Sequence, residues 1–395
     1  MSVAVSTRAA IAAVAAAVGL ALTAPLAQAT PTHAAPTAGR SSSAGSVIDT
    51  QARPDGWRGA AHGIAIDYWT RGADGQRVPA SGGLLLPAGR PPAGGWPVVA
   101  YTHGTSGYGP GCGGQSAPDA KSDRFVARLL ASGYAVVAPD YVGLGRFDTG
   151  VHPYLNVDSE GAATIDLLHA ARTVEPRLAD KWVVAGPSQG GHAALATAHL
   201  QSRYGAPTDF RGAIAVDPES DVEEVMSLLG PYVPPAPAVL EKAYGYLLAV
   251  LAGNRVADPT VDVDSYLSPY GRRLVDTVGK GCPAPRLPAG TAFGSLLAKP
   301  LGSPALRASL ERYMAVPTSG YTRPTLLLVN AGDLTVPSPL HAKLEADFTA
   351  NGVDHLTVLG TGSHTQMNSA QWAAWDDFLL APSRAEWTNE QFGAG

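Results

Sequence analysis

Lys181-Trp182-Val183-Val184-Ala185-Gly186-Pro187-Ser188-Gln189-Gly190-Gly191-His192-Ala193-Ala194-Leu195-Ala196 is the stretch whose reading decides the fold. Lys181 to Ala185 reads as a short buried strand, and the alanine-rich run from Gln189 reads as a helix. Between them, Gly186 to Gly190 spells Gly-x-Ser-x-Gly in the strand–turn–helix setting that a nucleophile elbow requires. The turn must be so sharp that Ser188 projects alone above the sheet edge. Gly186 and Gly190 carry no Cβ to obstruct the approach of strand and helix. Gln189 opens the helix, so its backbone N–H can point at an oxyanion beside Ser188. The bland alternative is a glycine-containing turn with Ser188 as an ordinary helix N-cap.

Outward from this turn, apolar runs alternate with helical patterns. Gly63 to Thr70 and Gly82 to Leu86 look like an opening antiparallel pair. Pro97 to Thr102, Tyr134 to Pro139, Lys181 to Ala185, Arg211 to Val216, Pro324 to Val329 and His355 to Leu359 follow as strands. Helical patterns cover Ser122–Ala131, Ser159–Arg172, Gln189–Tyr204, Pro339–Asn351 and Gln366–Leu380. Strand–helix alternation with continuously apolar strands predicts an α/β fold with a mostly parallel sheet covered on both faces. From about Pro218 to Tyr321 the rhythm breaks into helical and proline-rich pieces, among them the apolar run Ala238–Ala252. That is too long for a plain connection, so residues 218–321 read as an inserted helical cap. Residues 51–217 and 322–395 then form the core.

A serine nucleophile needs a general base, and the base needs an orienting carboxylate. With this elbow the chain order is Ser, acid, His. Asp333 stands at the carboxyl end of the strand Thr325–Val329, and His364 stands in a small-residue loop after His355–Leu359. Both leave the sheet at the end where open α/β sheets build their sites. Asp333 also fits an ordinary turn, with Asp217 as the fallback acid, and His364 also fits a plain loop histidine. His192 and His199 lie on the helix after Ser188, where packing or surface roles fit better, and His152, His169, His341 and His355 carry no supporting pattern. The second oxyanion donor is expected after Pro97–Thr102, in His103-Gly104-Thr105-Ser106-Gly107. There the N–H of Thr105, or of Gly104, would face the oxygen beside the Gln189 N–H.

Composition narrows the classes. Among 395 residues 45% are hydrophobic, enough for a sizeable core, and Gly 45 with Pro 33 make about a fifth of the chain. That is below the roughly 25–30% of low-complexity chains. The net charge is −5 and no basic run stands out, which argues against nucleic acid. Only 15% of residues are charged, against about 25% on average, so the surface is expected to be rich in Ser, Thr, Gly and Ala. Arg8, the apolar stretch Ala9–Leu22 and Ala27-Gln28-Ala29 make a secretory signal over residues 1–29, cut after Ala29, with an uncleaved anchor as the alternative. Residues 30–50 read as a flexible leader. The two cysteines, Cys112 and Cys282, read as one disulfide of an exported protein or as two free buried thiols.

His103-Gly104-Thr105 with Cys112 downstream, Asp140-Tyr141-Val142-Gly143-Leu144-Gly145 and His152-Pro153-Tyr154-Leu155 resemble the secretory lipase family of α/β-hydrolases. So do Gly-x-Ser-x-Gly-Gly at Ser188 and the late Asp333 and His364. The similarity spans roughly residues 51–385 and resides in the order and spacing of the motifs together. It implies an α/β-hydrolase core with a helical cap over an acyl pocket, no cofactor, and hydrolysis of carboxylic esters. It also implies pairing of Cys112 with Cys282. Two features depart from the family pattern. Pro187 stands where His, Tyr or Trp is more usual before the nucleophile, and the cap is proline-rich.

The expected chemistry is acyl transfer to water, with Ser188 as nucleophile, His364 as base, Asp333 orienting it, and Thr105 and Gln189 N–H groups holding the oxyanion. Tyr244, Leu247, Leu248 and Leu251 of the apolar cap run are expected to line the acyl or alcohol pocket, with a role in the cap's own core as the alternative. Asp258, Asp262 and Asp264 lack the spacing of a calcium loop. A monomer acting on a small-molecule, lipid or polyester ester, in transient contact with a lipid interface, is the expectation. A serine peptidase or amidase on the same triad is the enzymatic rival. A non-catalytic binding protein would normally show a broken triad.

Overall fold

The computed structural model of the protein describes residues 44–207, 209–235, 237 and 241–381. The expected signal segment, the leader as far as residue 43 and the tail beyond 381 lie outside these residues. Nine strands form one sheet: β1 (Val47–Arg53), β2 (His62–Arg71), β3 (Arg77–Leu86), β4 (Trp96–Tyr101), β5 (Ala135–Pro139), β6 (Leu178–Pro187), β7 (Asp209–Val216), β8 (Thr325–Asn330) and β9 (His355–Gly360). Their order is β1-β2-β3-β5-β4-β6-β7-β8-β9. The first three strands and the β3–β5 pair run antiparallel, and every pair from β5 through β9 is parallel.

The helices in chain order are α1 (Arg124–Ala131), α2 (Val157–Val174), α3 (Gln189–Tyr204), α4 (Val222–Ser227), α5 (Glu241–Ala257), α6 (Pro269–Val275), α7 (Pro304–Met314), α8 (Ser338–Ala350) and α9 (Ser369–Leu380). The parallel strands are apolar on both faces because both are covered. Val99, Val183 and Leu326 pack with Phe125 of α1 and Trp375 of α9. Their neighbours Val98, Val184 and Ala213 pack on the opposite side with Leu167 of α2 and Ala194 of α3. Alternate side chains of one strand thus feed two cores, so no polar alternation is left in its sequence. The starts of α1, α2 and α9 are capped by Asp123, Asn156 and Asn368, whose side chains accept helix N–H groups. Such caps contribute about 1 kcal/mol each.

The leader ends earlier than residue 50, because Val47–Thr50 belong to β1. That edge strand is almost wholly exposed and is held by its backbone ladder to β2, so it carries no hydrophobic periodicity to reveal it. Between β7 and β8, α4 to α7 and short 3₁₀ turns form a cap with its own apolar core, centred on Leu248, Leu251, Phe293 and Leu310. Burying each such side chain stabilises the fold by about 1.5–3 kcal/mol. The described part of the apolar run forms the start of α5, and residues 238–240 lie outside the described residues. Among the described residues this insertion holds no strand, only the isolated bridges Pro235–Ala292 and Leu267–Leu297. Cys112 and Cys282 are joined in a disulfide, which ties the loop after β4 to the cap.

Candidate active site

The chain turns from β6 into α3 at Ser188, whose φ of 56° and ψ of −125° are strained for a residue with a side chain. The Ser188 N–H donates to the Val216 carbonyl at 2.8 Å, which anchors the turn to β7. Helix α3 presses onto the loop after β4. A Cβ on Gly190 would stand 1.9 Å from the Thr102 carbonyl oxygen, and one on Gly186 would stand 2.0 Å from it. Thr102 Oγ1 donates to the Gly190 carbonyl at 2.7 Å and closes this contact. β5 and β6 lie on opposite sides of β4, so the crevice opens where the strand order reverses.

Three residues distant in the chain meet there. Ser188 Oγ lies 2.8 Å from His364 Nε2, and His364 Nδ1 lies 2.6 Å from Asp333 Oδ2. Asp333 is buried, and its Oδ1 accepts the N–H groups of Thr335 and Val336 at 2.8 and 3.0 Å. Burial alone would raise its carboxyl, but the imidazoles of His341 and His364 beside it hold it well below the ordinary carboxylate range. His341 Nε2 stands 3.7 Å from Asp333 Oδ2, a contact that the sequence pattern did not reveal. Burial opposes charge on His364, yet the hydrogen bond to Asp333 and the negative charge around it together raise the imidazole above its usual value.

Asp217 acts as a strut. Its oxygens accept the N–H and the side-chain amide of Asn330, each at 2.7 Å, and the N–H of Thr365 at 2.6 Å. It thereby joins the ends of β7 and β8 to the loop bearing His364, and both Asp217 and Thr365 adopt positive φ. Asp217, Asp333 and His364 bring ligand-type atoms within 4.8 Å of one another. These are the atoms already engaged in the relay and the strut, which fits a proton-handling site better than a cation cage. Asp258, Asp262 and Asp264 are separately engaged by Arg312, by the Ser265 N–H and by Arg255.

On the oxyanion side, a Cβ on Gly104 would come within 3.7 Å of Ser188 Cβ, so this loop faces the nucleophile closely. The Thr105 hydroxyl meets Tyr154 Oη at 2.9 Å. The Gln189 side chain turns inward, donating to His152 Nε2 at 2.9 Å and to Glu160 Oε1 at 2.8 Å. His152 is neutral, since burial lowers it to about 4, and its Nδ1–H donates to the Val142 carbonyl. Both hydrogens of the Gln189 side-chain amide are thus committed to these two partners. Pro187 has no N–H, and neither expected oxyanion donor belongs to it.

The crevice above Ser188 holds about 400 Å³ and is lined among others by Thr105, Gln115, Asp123, Glu219, Tyr246 and Thr335. Tyr244, Leu247, Leu248 and Leu251 are not among its lining residues: they pack into the cap core, and the wall that α5 supplies is Tyr246. The helix is apolar around most of its circumference, so periodicity could not say which side faced the crevice. Glu219 and Tyr154 were missed as site residues. The available signal was position, since Glu219 leaves the carboxyl end of β7 two residues after Asp217.

The secretory lipase family model matches residues 120–230, the segment that carries α1, the Ser188 turn and Glu219. Among solved structures, the rice cell wall degrading esterase LipA from Xanthomonas oryzae aligns with a TM-score of 0.65 and 23% identity, covering 88% of this chain and 98% of that one. Candida antarctica lipase A aligns with a TM-score of 0.63 and 17% identity, covering 81% of this chain and 78% of that one. At such identities the likeness is one of fold, a mostly parallel sheet with helices on both faces. Among the described residues no helix is long and apolar enough to cross a membrane.

Proposed function

We propose that this chain, a carboxylic-ester hydrolase of the lipase/esterase type by its match to the secretory lipase family, works through Ser188, His364 and Asp333. The observation that carries the proposal is the relay itself: 2.8 Å from Ser188 Oγ to His364 Nε2 and 2.6 Å from His364 Nδ1 to Asp333. His364 takes the serine proton as Oγ bonds to the ester carbonyl carbon and the carbonyl electron pair moves to oxygen. The N–H groups of Gln189 and of Thr105 or Gly104 hold that oxygen, each donor worth about 3 kcal/mol in comparable sites. The tetrahedral adduct collapses as its bond to the alcohol oxygen breaks and His364 returns the proton to that oxygen. Water then repeats the sequence on the acyl-serine.

A crevice of about 400 Å³ walled by Gln115, Asp123, Glu219 and Thr335 suits a short acyl group on a polar alcohol. Arg8, the apolar stretch after it and Ala27-Gln28-Ala29 support export with cleavage after Ala29, and a disulfide suits an oxidising compartment. The test is turnover of p-nitrophenyl esters from two to sixteen carbons by the mature protein and by Ser188→Ala, with p-nitroanilides run beside them. Loss of ester turnover in Ser188→Ala and a short-chain optimum are expected. Turnover that survives the substitution overturns the nucleophile. A preference for anilides replaces the ester reading with the amidase one, and a long-chain optimum removes the short-chain assignment.

A further inference from the structure

Ser188 Oγ has two acceptors within reach and one hydrogen to give. His364 Nε2 is 2.8 Å away, and Glu219 Oε1 is 3.3 Å away on another side. Glu219 lies on the loop leaving β7 and is only 6% exposed. The same Oε1 accepts the Tyr154 hydroxyl at 2.8 Å, and Tyr154 Oη in turn meets Thr105 Oγ1. A chain of polar atoms therefore runs from the nucleophile to the oxyanion loop, and the relay described above uses none of it.

The ionisation of Glu219 decides what this chain does. An ionised Glu219 would draw the serine hydrogen away from His364. It would also set a negative charge beside Ser188 Oγ, the atom that must part with its proton. The titratable groups facing Glu219 are the imidazoles of His364 and His192, the carboxyl of Glu160 and the phenols of Tyr154, Tyr108 and Tyr246. His192 is committed elsewhere, with Nδ1 at 2.7 Å from Glu160 and Nε2 at 2.9 Å from the Met314 carbonyl. Burial pushes the Glu219 carboxyl up, against the opposing pull of Tyr154 and the two imidazoles.

We propose that Glu219 is a further catalytic residue of this site, a neutral carboxylic acid that donates a hydrogen bond to Ser188 Oγ and so commits the serine's own hydrogen to His364. This rests on the ester-hydrolase reading of Ser188. As Oγ bonds to the carbonyl carbon, its proton goes to His364 Nε2. Glu219 keeps its own proton throughout and supports the oxygen while it carries charge. It does so again when the acyl-enzyme C–Oγ bond breaks and Oγ recovers a proton from His364. One proton is thus held on Glu219 while His364 stays free to accept another.

The experiment is the pH dependence of kcat/KM on p-nitrophenyl butyrate for the mature wild type, Glu219→Gln, Glu219→Ala and Ser188→Ala, with the thermal midpoint of each. The wild type is expected to be bell-shaped, rising as His364 loses its proton and falling as Glu219 loses its own. Glu219→Gln keeps a donor, so it is expected to lower kcat by about tenfold or less and to lose the alkaline fall. Glu219→Ala is expected to lower kcat by about 10²-fold with KM nearly unchanged. If Glu219→Gln falls as far as Glu219→Ala, or its profile superimposes on the wild type, the assignment is overturned. Should Glu219→Ala fail to fold, the alkaline limb of the Gln variant decides alone. An inert Ser188→Ala with an unaltered Glu219→Gln profile removes only the role of Glu219. A Ser188→Ala as active as the wild type removes the ester-hydrolase reading beneath it.

Discussion

Replacing Gly190 by Ala is expected to damage catalysis more than stability. The added Cβ would stand 1.9 Å from the Thr102 carbonyl oxygen, 2.7 Å from the carbon of that carbonyl and 2.9 Å from the His103 carbonyl carbon. Ordinary contact begins near 3.4 Å, so about 1.5 Å of separation must be found. The obstacle is backbone, and it cannot swing aside as a side chain can. Thr102 is also pinned, its N–H to the Ala185 carbonyl at 3.0 Å and its hydroxyl to the Gly190 carbonyl at 2.7 Å. The strain must therefore open α3 away from the loop after β4. Those two pieces carry Ser188 with the Gln189 N–H on one side and Gly104 with Thr105 on the other. A displacement of about 1 Å in such a constellation costs about 10²-fold in rate, while overpacking costs about 1–3 kcal/mol of stability. The assay is kcat and KM on p-nitrophenyl butyrate, with the thermal midpoint and the rate of Ser188 labelling by a fluorophosphonate. The expected result is a kcat lowered by about 10²-fold, slowed labelling and a folded protein. A Gly190→Ala variant with wild-type kcat and midpoint would refute the reasoning, because it would mean that the turn can relax without opening the site.

Two further outcomes follow from the same structure. Asp333→Asn removes the carboxylate that orients His364, and kcat is expected to fall by about 10⁴-fold. Asp333 favours the imidazolium and raises His364, and activity needs the neutral ring, so wild-type kcat/KM is lost as pH falls through that raised value. In Asp333→Asn the residual activity should persist to lower pH, and an acid limb that does not move contradicts the assignment. The paired substitution Cys112→Ala with Cys282→Ala opens a loop spanning 170 residues, whose closure entropy corresponds to about 5 kcal/mol. Urea unfolding should show a loss of about 2–5 kcal/mol, and an unchanged midpoint would mean that the cap holds the loop after β4 without the covalent tie.

The parallel strands, the long helices and the positions of Ser188, Asp333 and His364 were legible locally, because each rests on short-range chemistry. A strand buried on both faces is apolar throughout, a tight turn needs glycine, and strand ends are where α/β sheets expose reactive side chains. β1 was not legible, because an exposed edge strand is held by backbone hydrogen bonds and leaves no side-chain pattern. Nor was the direction of α5. Tyr244, Leu247, Leu248 and Leu251 are as apolar as any pocket wall, and only packing against Phe293 and its neighbours turned them inward and left Tyr246 at the crevice. Glu219 and Asp217 show the same division. Two acids leave one strand two positions apart, and nothing in their residue type tells the strut from the group beside the nucleophile. The sequence by itself determined which chemistry was available and which strand ends would carry it. Tertiary structure alone decided which polar atoms share a buried space, because that depends on contacts between segments from about thirty to more than a hundred and seventy residues apart that leave no local pattern.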